Sequence, residues 1–471
     1  MRVLSNIDPT DEQLKLASIT RLGIEVIRGA AGSGKTTTAL LRLRAMIATC
    51  RSRLERSGEV RPVRALVLTF NRTLRGYVQE LAKQQAQTAP VDLQISTFAK
   101  WAKDSLSTAL GARIEITNNG VDRRKIAQLG VGLPLPPEYL IEEVEYAMSR
   151  FMPGDLEAYL EIERTGRGIS PRVDRGLREI LIQNVMRPYQ DWIDKKNLWN
   201  WNDLAVSMAS KLRDRPYDII VVDEAQDFSA NQLRAIRCHL AKDHFVTFVL
   251  DTTQRIYARG YTWTEAGFSV RPENVHRLKD NFRNTRQIAR FAAGMLSDLP
   301  ADADASLPNE ASCRRDGPLP AVLVGRFKRQ LDWTLDYIEE DVDLAEQSVA
   351  FLHPKGGGWF DAVRHGLTER SMAFEEISKR SEWPSGKENI ALSTLHSAKG
   401  LEFDHVVIIG LDRDITDRDY GEDDDRMVTL RRLLAMAIGR AKHSVILGYK
   451  PESASRLVEY LDEDSFKEIE L

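Results

Sequence analysis

At 471 residues the chain is too long for one ordinary domain, and its 42% hydrophobic and 29% charged residues are the balance of a globular protein. No run reaches the eighteen or so apolar residues of a membrane span and no apolar leader follows Met1 and Arg2, so a cytoplasmic protein with no membrane partner is expected. Three scattered cysteines, Cys50, Cys238 and Cys313, argue against a disulfide framework or zinc site, and a net charge of −3 leaves any nucleic-acid surface to a local groove.

The first predicted strand, Glu25–Arg28, runs into Gly29-Ala30-Ala31-Gly32-Ser33-Gly34-Lys35-Thr36, and a helical run follows over Thr37–Ile47. Strand, GxxxxGK[ST] and helix in that order are the context of a phosphate-binding loop. Its glycines let backbone N–H groups face phosphate, and the helix N-terminus adds a field that favours anions. The residues from Gly29 to Thr37 are therefore the expected nucleotide site, with Lys35 reaching the β- and γ-phosphates and Thr36 holding Mg²⁺.

A second strand is predicted over Arg64–Phe70. From about 101 to 216 the pattern turns helical, with amphipathic stretches at Tyr139–Phe151, Leu156–Glu163 and Arg175–Arg187 and Pro188 placed to end or kink the last. Strands resume at Asp218–Asp223 and Phe245–Asp251. The first of these delivers Asp223 to its C-terminal end, where it can serve Mg²⁺, with Glu224 beside it as a base for the attacking water. After the Pro- and Asp-rich Leu299–Pro320, read as a surface connection, come Ala321–Phe327, Val349–His353, Ile390–Thr394, Val406–Gly410 and Ser444–Tyr449. Apolar strands alternating with helices indicate an α/β fold with parallel sheets.

Further segments carry a family resemblance. Asp11-Glu12-Gln13, Leu68-Thr69-Phe70-Asn71, Ser96-Thr97-Phe98, Asp223-Glu224-Ala225-Gln226-Asp227 and Asp251-Thr252-Thr253-Gln254-Arg255-Ile256-Tyr257 fall in the order of motifs Q, Ia, Ib, II and III. Leu278-Lys279-Asp280-Asn281-Phe282-Arg283, Thr394-Leu395-His396-Ser397-Ala398-Lys399-Gly400-Leu401-Glu402-Phe403 and the segment from Arg432 to Ala441 follow as motifs IV, V and VI. In this the chain resembles superfamily 1A helicases of the UvrD/Rep/PcrA kind. The resemblance implies two RecA-like P-loop domains. The first would take residues 1–100 and 201–275, a helical 1B-type insertion 101–200, the second 276–450, and an acidic tail 451–471.

It also implies roles. Gln13 would read adenine, Phe282 would stack on it (or be a core aromatic), and Glu402 would hold the ribose. Gln254 would sense the γ-phosphate, and Arg283 and Arg440 would bring positive charge to it from the second domain. Phe70, Asn71, Thr97, Phe98, Tyr257 and His396 would line a groove for single-stranded or tailed duplex DNA.

Three departures from the family pattern stand out. Only Ala258 separates Tyr257 from Arg259-Gly260, so Tyr261 or Trp263 is a candidate to take over stacking; Gly439 stands where threonine usually precedes the motif VI arginine. Arg283 and Thr394 are 111 residues apart, which leaves no room for a large 2B insertion. The resemblance thus implies an ATP-driven translocase or helicase, 3′ to 5′ by family. The alternative is a DNA-sensing regulatory NTPase that controls a protein partner such as a nuclease, for example in anti-phage defence.

Overall fold

The computed structural model describes residues 9–29, 33–69, 91–162, 171–210, 216–251, 261–278, 281–297, 299, 310–354, 358–378, 388–399, 401–417 and 425–471. Strands β1 (Gly23–Gly29), β2 (Val63–Thr69), β3 (Val91–Thr97), β4 (Tyr217–Val222), β5 (Leu240–Asp251) and β6 (Val275–Leu278) form one sheet in the order β3-β2-β4-β5-β1-β6. Every pairing in it is parallel. Ile219, Ile220, Val221 and Val222 of β4 are buried on both faces, as a central parallel strand requires. β5 lies between β1 and β4, so the phosphate loop and the acidic strand end are separated by one strand.

The second sheet is also wholly parallel. It takes β9 (Ala321–Val324), β10 (Val349–His353), β11 (Phe374–Glu376), β12 (Ile390–Thr394), β13 (Phe403–Ile408), β14 (Ala441–Tyr449) and β15 (Lys467–Glu470), in the order β11-β12-β10-β13-β14-β9-β15. A small pair, β7 (Asn281–Thr285) and β8 (Cys313–Arg315), precedes it. One buried apolar cluster takes residues of both large sheets, among them Val221, Phe245, Ala350 and Val406. Two α/β units with parallel sheets are the RecA-like architecture that the motifs implied.

The helical region has a core of its own, built on Leu140, Val144, Tyr159, Leu181, Val185 and Ile193. The helices Phe98–Leu110 and Trp201–Ser210 pack Trp101, Leu106, Leu204 and Met208 with Leu66 and Ile220 of the first sheet. The Asn231 amide fastens the region to that sheet's helices, donating to the Met148 carbonyl (2.9 Å) and the Phe151 carbonyl (3.0 Å). Arg150 pairs with Glu265 at 2.6 Å beside it.

Pro188 does not end its helix: the backbone stays helical from Arg175 to Lys195 and passes through a π turn over Ile182–Met186, an irregularity of the kind a proline imposes. Three other expectations change. The stretch from Leu156 is a 3₁₀ segment, Pro153–Leu160. Leu299–Pro320 contains β8. The expected acidic tail instead closes the second sheet as β15, with Lys467 to Glu470 paired to Ala321 to Val324.

Candidate active site

At the C-terminal end of β1 the chain turns through the phosphate loop into α2 (Lys35–Ser57). Gly34 caps that helix at φ +75°, a left-handed conformation that glycine adopts without strain. A side chain there would also collide with the Gln13 amide, 2.1 Å from where its Cβ would lie. Lys35 is buried and donates to the Gly29 carbonyl at 2.8 Å. Gln13 sits in the first turn of α1 (Asp11–Ala17), accepts from the Thr10 N–H at 3.0 Å, and donates to the Ser33 carbonyl at 3.2 Å. Ala30, Ala31 and Gly32 lie outside the described residues.

Thr36 donates its hydroxyl to Asp223 at 3.0 Å, bringing the two expected magnesium ligands together from α2 and the end of β4. Burial, and next the charge of Glu224, push the Asp223 pKa upward; the Thr36 hydroxyl and the Lys35 ammonium oppose this. A hydroxyl and a crowded, buried carboxylate form an oxygen donor set that a hard divalent cation suits. Glu224 is held at φ +53°, strained for a side chain of its size, with its N–H donating to Asp223 at 3.0 Å. The Gln226 amide donates to its carboxylate.

Residues of the second α/β unit meet around Glu402. Arg283, on β7, pairs with Glu402 and donates to the Gly439 carbonyl at 3.3 Å. Burial pushes the Glu402 pKa up, but Arg283, Lys442 and Arg440 together hold it below the usual carboxylate range. Arg440 is 3% exposed, with its Nε 3.2 Å from the Met436 sulfur. The expected γ-phosphate arginines and the expected ribose glutamate are therefore brought together. Gln254 lies outside the described residues, as does the Phe282 side chain.

Three residues not singled out from sequence join these parts. Asn284 donates to the carbonyls of Gly439 (3.1 Å) and Ala441 (2.6 Å), bracketing Arg440. Lys399, from the loop after β12, crosses to the other sheet: its ammonium pairs with Asp227 and lies 3.9 Å from the Glu224 carboxylate. Lys399 is 4% exposed and Asp227 1%, so the pair is shielded from solvent screening. Arg42, the third, ties α2 back to α1 and is taken up below.

The expected DNA residues divide. His396 is exposed three positions before Lys399; lost solvation, then the Lys399 charge, hold its pKa below the usual imidazole value. Thr97 caps the helix Phe98–Leu110, accepting from the Lys100 N–H at 3.3 Å. Phe98 is a correction. Its ring is 4% exposed, edge-on to Trp101 at 5.5 Å and to Phe228 at 6.2 Å, and packs the first sheet's core instead of presenting a face to a base. Trp263 likewise packs on Phe248 at 4.7 Å, and the Tyr261 hydroxyl donates to the Phe228 carbonyl at 2.7 Å. Phe70, Asn71 and Tyr257 lie outside the described residues.

Known proteins match the chain over most of its length. Residues 10–266 match the UvrD/REP helicase N-terminal domain, and residues 365–452 match the UvrD-like helicase C-terminal domain. A probable DNA helicase of Mycoplasma pneumoniae is 23% identical over 467 residues, covering 93% of this chain and 82% of that protein. The exonuclease/helicase protein RexA of Lactococcus lactis is 23% identical over 189 residues. That match covers 35% of this chain but only 16% of the lactococcal protein. The solved C-terminal domain of a possible DNA helicase from Lactobacillus covers 40% of this chain and 98% of its own at 22% identity, with a TM-score of 0.30, a likeness too slight to bear on the fold.

Proposed function

The chain belongs to the UvrD/REP helicase family and is an ATP-dependent DNA helicase, and from that premise we propose that it moves on single-stranded DNA, 3′ to 5′, by closing its two cores on ATP. The observation that carries this reading is the Lys399 bridge to Asp227 and Glu224. One short loop holds both the exposed His396, a DNA candidate, and a cation seated against the candidate base. Movement of that loop on DNA changes the electrostatics at Glu224 directly.

In the closed state Glu224 takes a proton from water as the water oxygen bonds to the γ-phosphorus. The bond from that phosphorus to the β–γ bridging oxygen breaks, and ADP is the leaving group. Lys35, Arg283 and Arg440 answer the charge that spreads over the phosphoryl oxygens. Magnesium, held by Thr36 and Asp223, would neutralise part of that charge when bound. Arg283 must first leave Glu402, so closure and ribose contact are linked.

A second reading is favoured by the short span between Arg283 and Thr394 and by the likeness to the lactococcal exonuclease/helicase protein. In it, the ATPase senses DNA and controls a nuclease partner with little unwinding of its own. Steady-state ATPase with and without a single-stranded oligonucleotide, followed by strand separation on 3′- and 5′-tailed duplexes, distinguishes the two. Stimulated hydrolysis with separation of the 3′-tailed duplex is expected. Stimulation without separation of either duplex would favour the regulatory reading, and no stimulation would contradict both.

A further inference from the structure

We propose that Arg42 is a positioning residue for nucleotide base selection: it fixes α1, and with it Gln13, relative to the phosphate loop. This rests on the reading of Gln13 as the adenine contact.

α1 has seven residues, too few to be stable alone. Its apolar anchorage is slight, a small cluster of Leu16, Ile27 and Leu278 with Ile19 beside it. What else holds its C-terminal end is a guanidinium. Arg42 is 1% exposed on α2, two turns after Lys35, and its Nη1 donates to the carbonyls of Leu16 (3.3 Å) and Ile19. Its Nε donates to the Thr247 hydroxyl on β5 at 3.2 Å. A cation at a helix C-terminus meets the carbonyls left without intrahelical partners and the negative end of the helix dipole. Burial lowers the Arg42 pKa to about 10, with the Glu25 charge opposing, so the side chain stays charged at neutral pH.

Arg42 therefore ties α1 to the helix whose first turn holds the phosphates, while Gln13 at the other end of α1 donates to Ser33 of the phosphate loop. On the same reading the phosphates fall to Lys35 and the loop backbone. The base contact depends on where α1 sits. Loosening α1 should weaken what depends on the base far more than what depends on the phosphates.

The test is KM and kcat for ATP and for GTP in the wild type and in Arg42→Met, Arg42→Lys and Thr247→Val, with a thermal melt on each. Thr247→Val removes one anchor at nearly constant volume and covers the case in which an Arg42 variant does not fold. Wild type should prefer ATP. Arg42→Met should raise KM for ATP roughly tenfold, the scale of one good hydrogen bond, with a much smaller rise for GTP. Arg42→Lys should restore part of the preference and Thr247→Val should lose part of it. Equal losses for both nucleotides, or a folded Arg42→Met that keeps the wild-type preference, would overturn the proposal. Gln13→Ala separates the two layers. If it abolishes the preference while the Arg42 and Thr247 variants keep it, Arg42 alone is misassigned. If Gln13→Ala keeps it, the adenine reading fails and the proposal with it.

Discussion

Lys35 rests its ammonium 2.8 Å from the Gly29 carbonyl, at the start of the phosphate-loop motif. Lys35→Ala should abolish hydrolysis and most nucleotide affinity, measured by ATPase rate and by titration with a fluorescent ATP analogue. Retention of about a tenth of the wild-type rate would contradict the assignment. Glu224→Gln keeps the shape and removes the proton acceptor, so ATP should still bind while turnover falls by roughly 10²–10⁴-fold. Binding lost together with turnover would make Glu224 a structural residue. These residues were legible because their chemistry is written in consecutive positions. Lys399, Asn284 and Arg42 were not, because each draws its meaning from a partner brought near by folding: Asp227, Gly439 and Leu16. Phe98 shows the converse. Its motif position pointed to a groove, and the packing of Trp101 and Phe228 around it decided for the core.

Among elements, β10 and β12 fall where the apolar runs put them, since each lies between two neighbours and is buried on both faces. The edge strands β3, β6, β11 and β15 escaped notice. An edge strand pairs on one side only, so it can be short and polar, as Lys467–Glu470 is. At the foot of β13, His405 gives a test of packing. Its Nδ1 lies 2.8 Å from the Ser444 hydroxyl, and its Nε2 is buried without a hydrogen-bond partner among the described residues. Burial, then the charge of His443, bring its pKa down from 6.5 to about 4, with Asp404 opposing. As pH falls below 6.5 the unfolded chain takes up this proton and the folded chain does not. The stability contributed by the neutral ring is therefore complete above pH 6.5 and is lost towards pH 4. The thermal midpoint should fall less steeply between about pH 7 and pH 5 in His405→Gln than in the wild type. Equal slopes would remove His405 from the acid response.

At the scale of the whole molecule, the proposed mechanism divides one site between the two α/β units, which the Lys399 bridge joins. The ordered motifs pointed to both units, and the helical pattern pointed to a region with a core of its own. The contact between the units was not legible, because the Lys399 bridge joins positions 172 residues apart. The central claim is that hydrolysis needs the second sheet's arginine, and Arg440→Ala tests it most directly. The measurement is ATPase rate with and without a single-stranded oligonucleotide, alongside ATP affinity. Affinity should survive, since the phosphate loop carries ground-state binding, and turnover should fall by roughly 10³–10⁵-fold, as when an arginine finger is absent, with DNA stimulation lost. An Arg440→Ala protein that still hydrolyses ATP near the DNA-stimulated wild-type rate would show that catalysis does not bridge the two sheets, and the motor mechanism would be wrong.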